Sequence, residues 1–202
     1  MADNEVLQTA IKGFSHTTSS ADIRAGRKQF FDKITCRDDN EGLRIIDTIG
    51  GEHNNMIILA GVQKNGTNGV VSFSFVRKQS HFAIQVISTI AEFIPSEQVV
   101  IGFKFASGKE VLSGFVFPPV NVEGSHFWAN YAQISADDLA VFIGDDLVGW
   151  QMKNKINNAS LESDFTILAT DILPQSEAKY LLRSMAAAMA GDYLKSIPTE
   201  EL

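Results

Sequence analysis

The chain has 202 residues, 45% hydrophobic and 20% charged, with a formal charge of −7 and a mean hydropathy near zero. That length supports a substantial core, and the apolar content excludes intrinsic disorder, which needs low hydrophobicity and high charge. No window approaches the roughly 18 uninterrupted apolar residues of a membrane helix, and the lone cysteine, Cys36, excludes an internal disulfide.

Residues 3–14 place Val6, Leu7, Ala10, Ile11 and Phe14 at helical spacing. The opening Met1-Ala2-Asp3-Asn4-Glu5 has neither the basic flank nor the apolar stretch of a secretory signal, so a reducing cytoplasm is the expected compartment. Ser20 is placed to cap a second helix through about residue 33, with Gly26 weakening its interior. Residues 37–42 then read as a loop, and residues 43–49 as a short strand ended by Gly50-Gly51.

Stronger β signals follow. Residues 56–62 are a continuous apolar run of strand length, as in a strand buried on both faces. Two Asn-Gly pairs, at 65–66 and 68–69, mark a hairpin, and Val71, Phe73 and Phe75 alternate with Ser72 and Ser74 on the returning strand. Over residues 80–94, Phe82, Ala83, Val86, Ile87, Ile90, Ala91 and Ile94 form one helical stripe between a Ser80 cap and a Pro95 stop, which predicts an amphipathic helix. Val99, Ile101, Phe103 and Phe105 share a strand face, Ser107-Gly108 turns the chain, and residues 111–117 return with Phe115 and Phe117 expected inward. Pro118-Pro119 forbids continuation in a central ladder.

A further strand is expected over residues 126–134, and Ser135 with Asp137 and Asp138 suits the start of a helix over 136–143. Asp145-Asp146 turns into a strand near 147–153, residues 154–163 look loop-like, and Phe165, Ile167 and Ala169 define the last strand. Residues 174–195 form a closing helix with Ala178, Leu181, Leu182, Met185, Ala188 and Met189 on its apolar stripe. Its run of alanines before Gly191 lets another backbone approach closely, so a self-pairing surface, and with it a homo-oligomer, is one reading beside simple packing on a sheet. The expected fold is a single α+β domain spanning 1–202: a helical N-terminal segment (1–35), a mostly antiparallel sheet-rich body (43–170) with at least one inserted amphipathic helix, and a C-terminal helix (174–196) packed on it.

Charge is unevenly distributed. Residues 1–134 carry 12 basic and 13 acidic side chains, whereas residues 135–202 carry 5 and 11, so nearly all the net negative charge belongs to the last third. Such a surface repels phosphate backbones, which argues against nucleic acid and favours a basic protein partner, solubility being the plainer reason for it.

Chemistry-bearing motifs are sparse. Gly-x-Gly-x-x-Gly, Walker-type, Gly-x-Ser-x-Gly and His-Glu-x-x-His patterns are all missing, and one cysteine cannot build a paired-cysteine zinc site. Neither a cofactor nor a metal is expected. The densest polar cluster, residues 50–55, offers Glu52 and His53 as an acid/base pair with asparagine amides beside them, although a plain turn also explains it. Cys36 next to Arg37 lacks a matching histidine base and reads as an inert thiol. Asp137-Asp138 and Asp145-Asp146 have no calcium-loop pattern and suit a helix start and a turn.

The remaining feature is aromatic: His126, Phe127, Trp128 and Tyr131 follow the flexible residues 122–125, and Trp150 lies near Asp145 and Asp146. Trp and His are good anchors for partners, although core packing for at least one of the two tryptophans is expected. Together these features predict a non-enzymatic protein-binding protein, of inhibitor, immunity or chaperone type, engaging a basic partner through His126, Trp128, Asp145, Asp146 and Trp150. The alternatives are a small hydrolase or transferase using Glu52 and His53, or a structural assembly subunit.

Overall fold

Alternating apolar side chains and tight turns fold most of this chain into antiparallel strands. The computed structural model describes residues 2–17, 34–38, 42–48, 57–64, 67–122, 124–164 and 175–198. In chain order the elements are α1 (Ala2–Thr17), β1 (Ile34–Asp38), β2 (Arg44–Thr48), β3 (Ile57–Lys64), β4 (Thr67–Lys78), β5 (His81–Ser88), a single 3-10 turn (Ala91–Phe93), β6 (Val99–Phe105), β7 (Glu110–Gly114), β8 (Val120–Asn121), β9 (Trp128–Ile134), α2 (Ala136–Gly144), β10 (Leu147–Asn154), β11 (Ser160–Asp164) and α3 (Gln175–Ser196). This is the expected α+β class, with helices at both ends and α2 inserted between strands.

Two antiparallel sheets result. The larger runs β1-β2-β4-β5-β9-β8, and β3 also pairs with β4. The 12-residue β4 is long enough for β3 to pair with its first half (Ile57↔Phe73 to Lys64↔Thr67) and β2 with its second (Ile46↔Phe75 to Arg44↔Arg77). Lys64 faces Thr67, so two residues, Asn65-Gly66, join β3 to β4, the length that dipeptide predicts. The smaller sheet runs β11-β10-β6-β7. A bridge between Phe115 and Ala132, with Ser113 Oγ donating to the Gln133 carbonyl at 2.7 Å, links the β7 end of the smaller sheet to β9 of the larger.

The two sheets meet through aromatic rings. Phe73 of β4 stands edge-to-face against Phe103 of β6 and Trp150 of β10, with centroids 5.1 and 5.4 Å apart. Phe142 of α2 makes the same kind of contact with Phe75, Phe103 and Phe105 at 5.0–5.3 Å, so one helix side chain joins both sheets. Such pairs contribute roughly 0.5–1.5 kcal/mol each beyond area burial. What aims Phe142 is the start of its helix: Ser135 accepts from the Asp138 N–H at 3.0 Å while the Asp138 carboxylate accepts from the Ser135 N–H at 2.9 Å, a reciprocal capping box. Helices α1, α2 and α3 touch one another, and α3 also lies on β1, β2, β4 and β10. Its residues 185–190 are packed inside apart from half-buried Ala188, so the small side chains read as a self-pairing surface are already covered by this chain.

Four expectations are corrected. Residues 80–94 are not a helix: His81 pairs with Lys78 across the Gln79-Ser80 turn, and Phe82, Ile84, Val86 and Ser88 alternate inward along β5. The strand lies between β4 and β9, and partial burial of Ala83 and Ile87 on its other face mimics a helical stripe. Arg37 and Asp38 belong to β1, paired with Ile45 and Arg44, rather than to a loop. Within 154–163, residues 160–163 begin β11, where pairing with β10 overrides a polar sequence. Phe117 is exposed rather than inward, because the regular ladder of β7 ends at Gly114 and the chain leaves the sheet before Pro118-Pro119. The second helix expected over 20–33 and the strand over 165–169 lie outside the described residues.

Candidate functional site

The structure separates the residues expected to act together. Glu52 and His53 lie outside the described residues. Trp150 is 1% exposed, packed on Phe73 in the centre of the core, and its buried Nε1–H has no hydrogen-bond partner among the described residues. It is the tryptophan that packs the interior, and this fold gives it no surface to offer a partner.

Asp145 and Asp146 lie where α2 hands over to β10. The Asp145 carboxylate accepts from the Asp146 N–H at 2.8 Å, and Asp146 pairs with Arg183 of α3 at 3.1 Å. The same arginine donates to the Ile143 carbonyl at 2.6 Å and stacks over the Phe14 ring, so it ties the end of α2 to α1 and α3. Other carboxylates of the last third also have local duties. Asp138 closes the capping box, Glu162 faces Lys104, and Asp192 binds two arginines. Asp138, Asp146, Glu162 and Asp192 thus each answer a local partner at a different place in the fold.

His126 and Trp128 sit elsewhere, at the start of β9 and beside β8, where Asn121 pairs with Trp128 and Val120 with Ala129. His126 is exposed and Trp128 half-buried. Around them the structure assembles an apolar edge that the sequence did not announce. Val116 is 73% exposed, Phe117 64%, Val120 64% and Val122 41%, four large hydrophobic side chains within seven residues. Scattered exposed apolar residues are ordinary, whereas four so close in sequence beside a sheet edge are not.

This edge is held in a fixed shape from beneath. Asn130, buried on β9, donates through Nδ2 to the Phe117 carbonyl at 2.6 Å and to the Pro95 carbonyl at 2.9 Å, while its Oδ1 accepts from the Tyr131 N–H. Asn121 performs the same service for the following loop: its Nδ2 donates to Ser125 O at 2.8 Å, and its Oδ1 accepts from the Gly124 N–H. Val122 N–H closes the hairpin on Phe127 O at 2.9 Å, and Gly124 supplies the positive φ of 70° the turn requires. The backbone is therefore fixed by two asparagines while Phe117 and its neighbours face water. The available signal was the group Val116-Phe117-Pro118-Pro119-Val120, in which two prolines interrupt an apolar run that would otherwise be buried as strand.

A second, polar feature was not legible at all. An open cleft of about 420 Å³ is lined by Asp38, Arg44, Arg77, Gln79, Asp192 and Lys195, among others. Arg44 of β2 grips Asp192 of α3 through both Nε and Nη2, at 3.1 and 2.9 Å. Arg77 of β4 reaches the same carboxylate at 2.7 and 3.3 Å, and its guanidinium lies over the Tyr193 ring. Arg44 also pairs with Asp38 at 3.0 Å. A carboxylate in the last turns of a helix opposes the helix dipole, and the two arginines compensate it.

Among the described residues, no three His, Cys, Asp or Glu side chains converge as metal ligands, and no helix is long and apolar enough to cross a membrane. No protein-family model, curated protein or solved structure matches the chain.

Proposed function

We propose that this protein acts by binding another protein, without catalysis, and that the contact is the apolar edge formed by Val116, Phe117, Val120 and Val122 with His126 and Trp128 beside it. The observation that carries the reading is the pairing of these exposed side chains with a backbone anchored by buried Asn130. A backbone held in place loses little freedom on binding, which lowers the ordering cost of association. Trp128, half-buried beside the edge, is of the residue type most enriched at binding hot spots.

The partner's chemistry is an apolar depression able to accept Phe117, on a protein whose overall charge is basic. The chain's charge of −7 acts through its long-range field, which speeds encounter with such a partner, and not through a concentrated acidic face. Asp146 already spends its charge on Arg183.

The same edge also suits association between copies of this chain, and light scattering separates the two cases. A monomer at high concentration that retains a distinct protein in affinity capture, and loses it on Phe117→Asp, supports the reading. Capture unaffected by Phe117→Asp removes the apolar edge from consideration. Concentration-dependent mass abolished by that substitution assigns the edge to self-assembly instead.

A further inference from the structure

We infer that the cleft between β2, β4 and the end of α3 is a binding site for a compact oxyanion, a phosphate or a small carboxylate. This does not depend on the protein-binding reading, since the cleft involves none of the residues of the apolar edge. Among the described residues, three cations line it, Arg44, Arg77 and Lys195, against two carboxylates, Asp38 and Asp192.

The strongest observation concerns Arg77, whose side chain is only 11% exposed. A guanidinium carries five N–H donors. Nε and Nη2 each donate to Asp192, and Nη1 donates to the Gln79 carbonyl at 3.1 Å. One N–H on each terminal nitrogen is left without a partner among the described residues, on a largely buried cation that borders open space. Lys195 makes no hydrogen bond or ion pair among the described residues, and it borders the same cleft. Two guanidinium N–H groups on adjacent nitrogens form a fork matched to two oxygens of one anion, and the ammonium supplies a mobile third donor.

Asp192 acts as a positioning residue. By gripping both arginines it fixes their planes and removes part of their charge, leaving the described lining with a surplus of one positive charge. That favours a singly or doubly charged compact anion over a highly charged polymer, and the volume of about 420 Å³ accommodates a small molecule.

The test is a ¹H–¹⁵N NMR titration of the full chain, with inorganic phosphate in one arm and succinate in the other, at ionic strength held constant with sodium chloride. The expected result is saturable shifts of the Arg77, Gln79 and Lys195 signals, with roughly millimolar or tighter affinity in at least one arm. The arm saturating at lower concentration identifies the anion class. Lys195→Gln, a surface change that keeps the fold, and Arg77→Lys, which removes the fork, should each weaken binding about tenfold. The proposal is overturned if neither anion saturates by about 10 mM, if the shifts map elsewhere, or if Lys195→Gln binds as tightly as the wild type.

Discussion

Replacing Asn130 with alanine removes the anchor beneath the apolar edge, and its cost follows from the geometry. Three hydrogen bonds are lost, from Nδ2 at 2.6 Å to Phe117 O and 2.9 Å to Pro95 O, and from the Tyr131 N–H to Oδ1 at 2.8 Å. Each contributes about 1 kcal/mol net. Phe117 is exposed, so its carbonyl finds water, whereas Pro95 is buried and its carbonyl is left without a donor, adding about 1–2 kcal/mol. The expected loss is therefore about 4–5 kcal/mol in urea unfolding at pH 7, with an unchanged denaturant slope. Hydrogen exchange should report a second consequence, faster exchange of the Val122 and Ser125 amides at the tip of the edge. A loss below about 1 kcal/mol, with those amides still protected, would refute the claim that Asn130 holds the edge in shape.

Phe142→Ala should cost about 3–5 kcal/mol by calorimetry, because it empties a buried site contacted by Phe75, Phe103 and Phe105; a shift under 1 kcal/mol would mean that the two sheets hold together without α2. Ser135→Ala breaks the capping box of α2 and is expected to cost about 1 kcal/mol in the same measurement, with no change if the cap is dispensable. Ser184 carries a buried hydroxyl without a hydrogen-bond partner among the described residues, so Ser184→Ala should leave stability unchanged or raise it slightly, and a loss above about 1 kcal/mol would reveal a partner outside them. Gln79 adopts a left-handed φ of 54° in the β4–β5 turn, and Gln79→Gly should stabilise by up to about 1 kcal/mol by relieving it; destabilisation would count against strain there.

Where the chemistry is local, the sequence was informative. Ser135 and Asp138 lie three residues apart and mark the start of α2, and Asn65-Gly66 marks the turn between β3 and β4. The class of the fold followed from such signals. Residues 80–94 misled because both faces of β5 are partly covered, so Ala83 and Ile87 join Phe82 and Val86 in a false helical period. The polar residues of β11 take strand form only because β10 offers them a ladder, and pairing of that kind leaves no mark on composition. The Asp192 clamp joins residues 148 and 115 positions apart, a convergence that only the folded chain creates. The sites followed the same rule. Trp128 and His126 stand out as candidates because aromatic density is visible in sequence, whereas the exposure of Phe117 depends on where a ladder stops.

The acidity of the last third has also acquired a physical meaning. Asp138, Asp146 and Asp192 cap a helix, tether Arg183 and join two strands to α3. These carboxylates organise the structure that carries the apolar edge.

The most direct test compares two double substitutions in quantitative affinity capture from lysate at low salt, with wild-type chain as reference. Phe117→Asp with Val120→Asp alters the apolar edge, and Asp145→Lys with Asp146→Lys reverses the charge at the end of α2. The result expected is that the first pair abolishes retention of a partner held by the wild type, while the second leaves it largely in place. Retention that survives the first pair and disappears with the second would contradict the assignment and return the contact to the acidic turn.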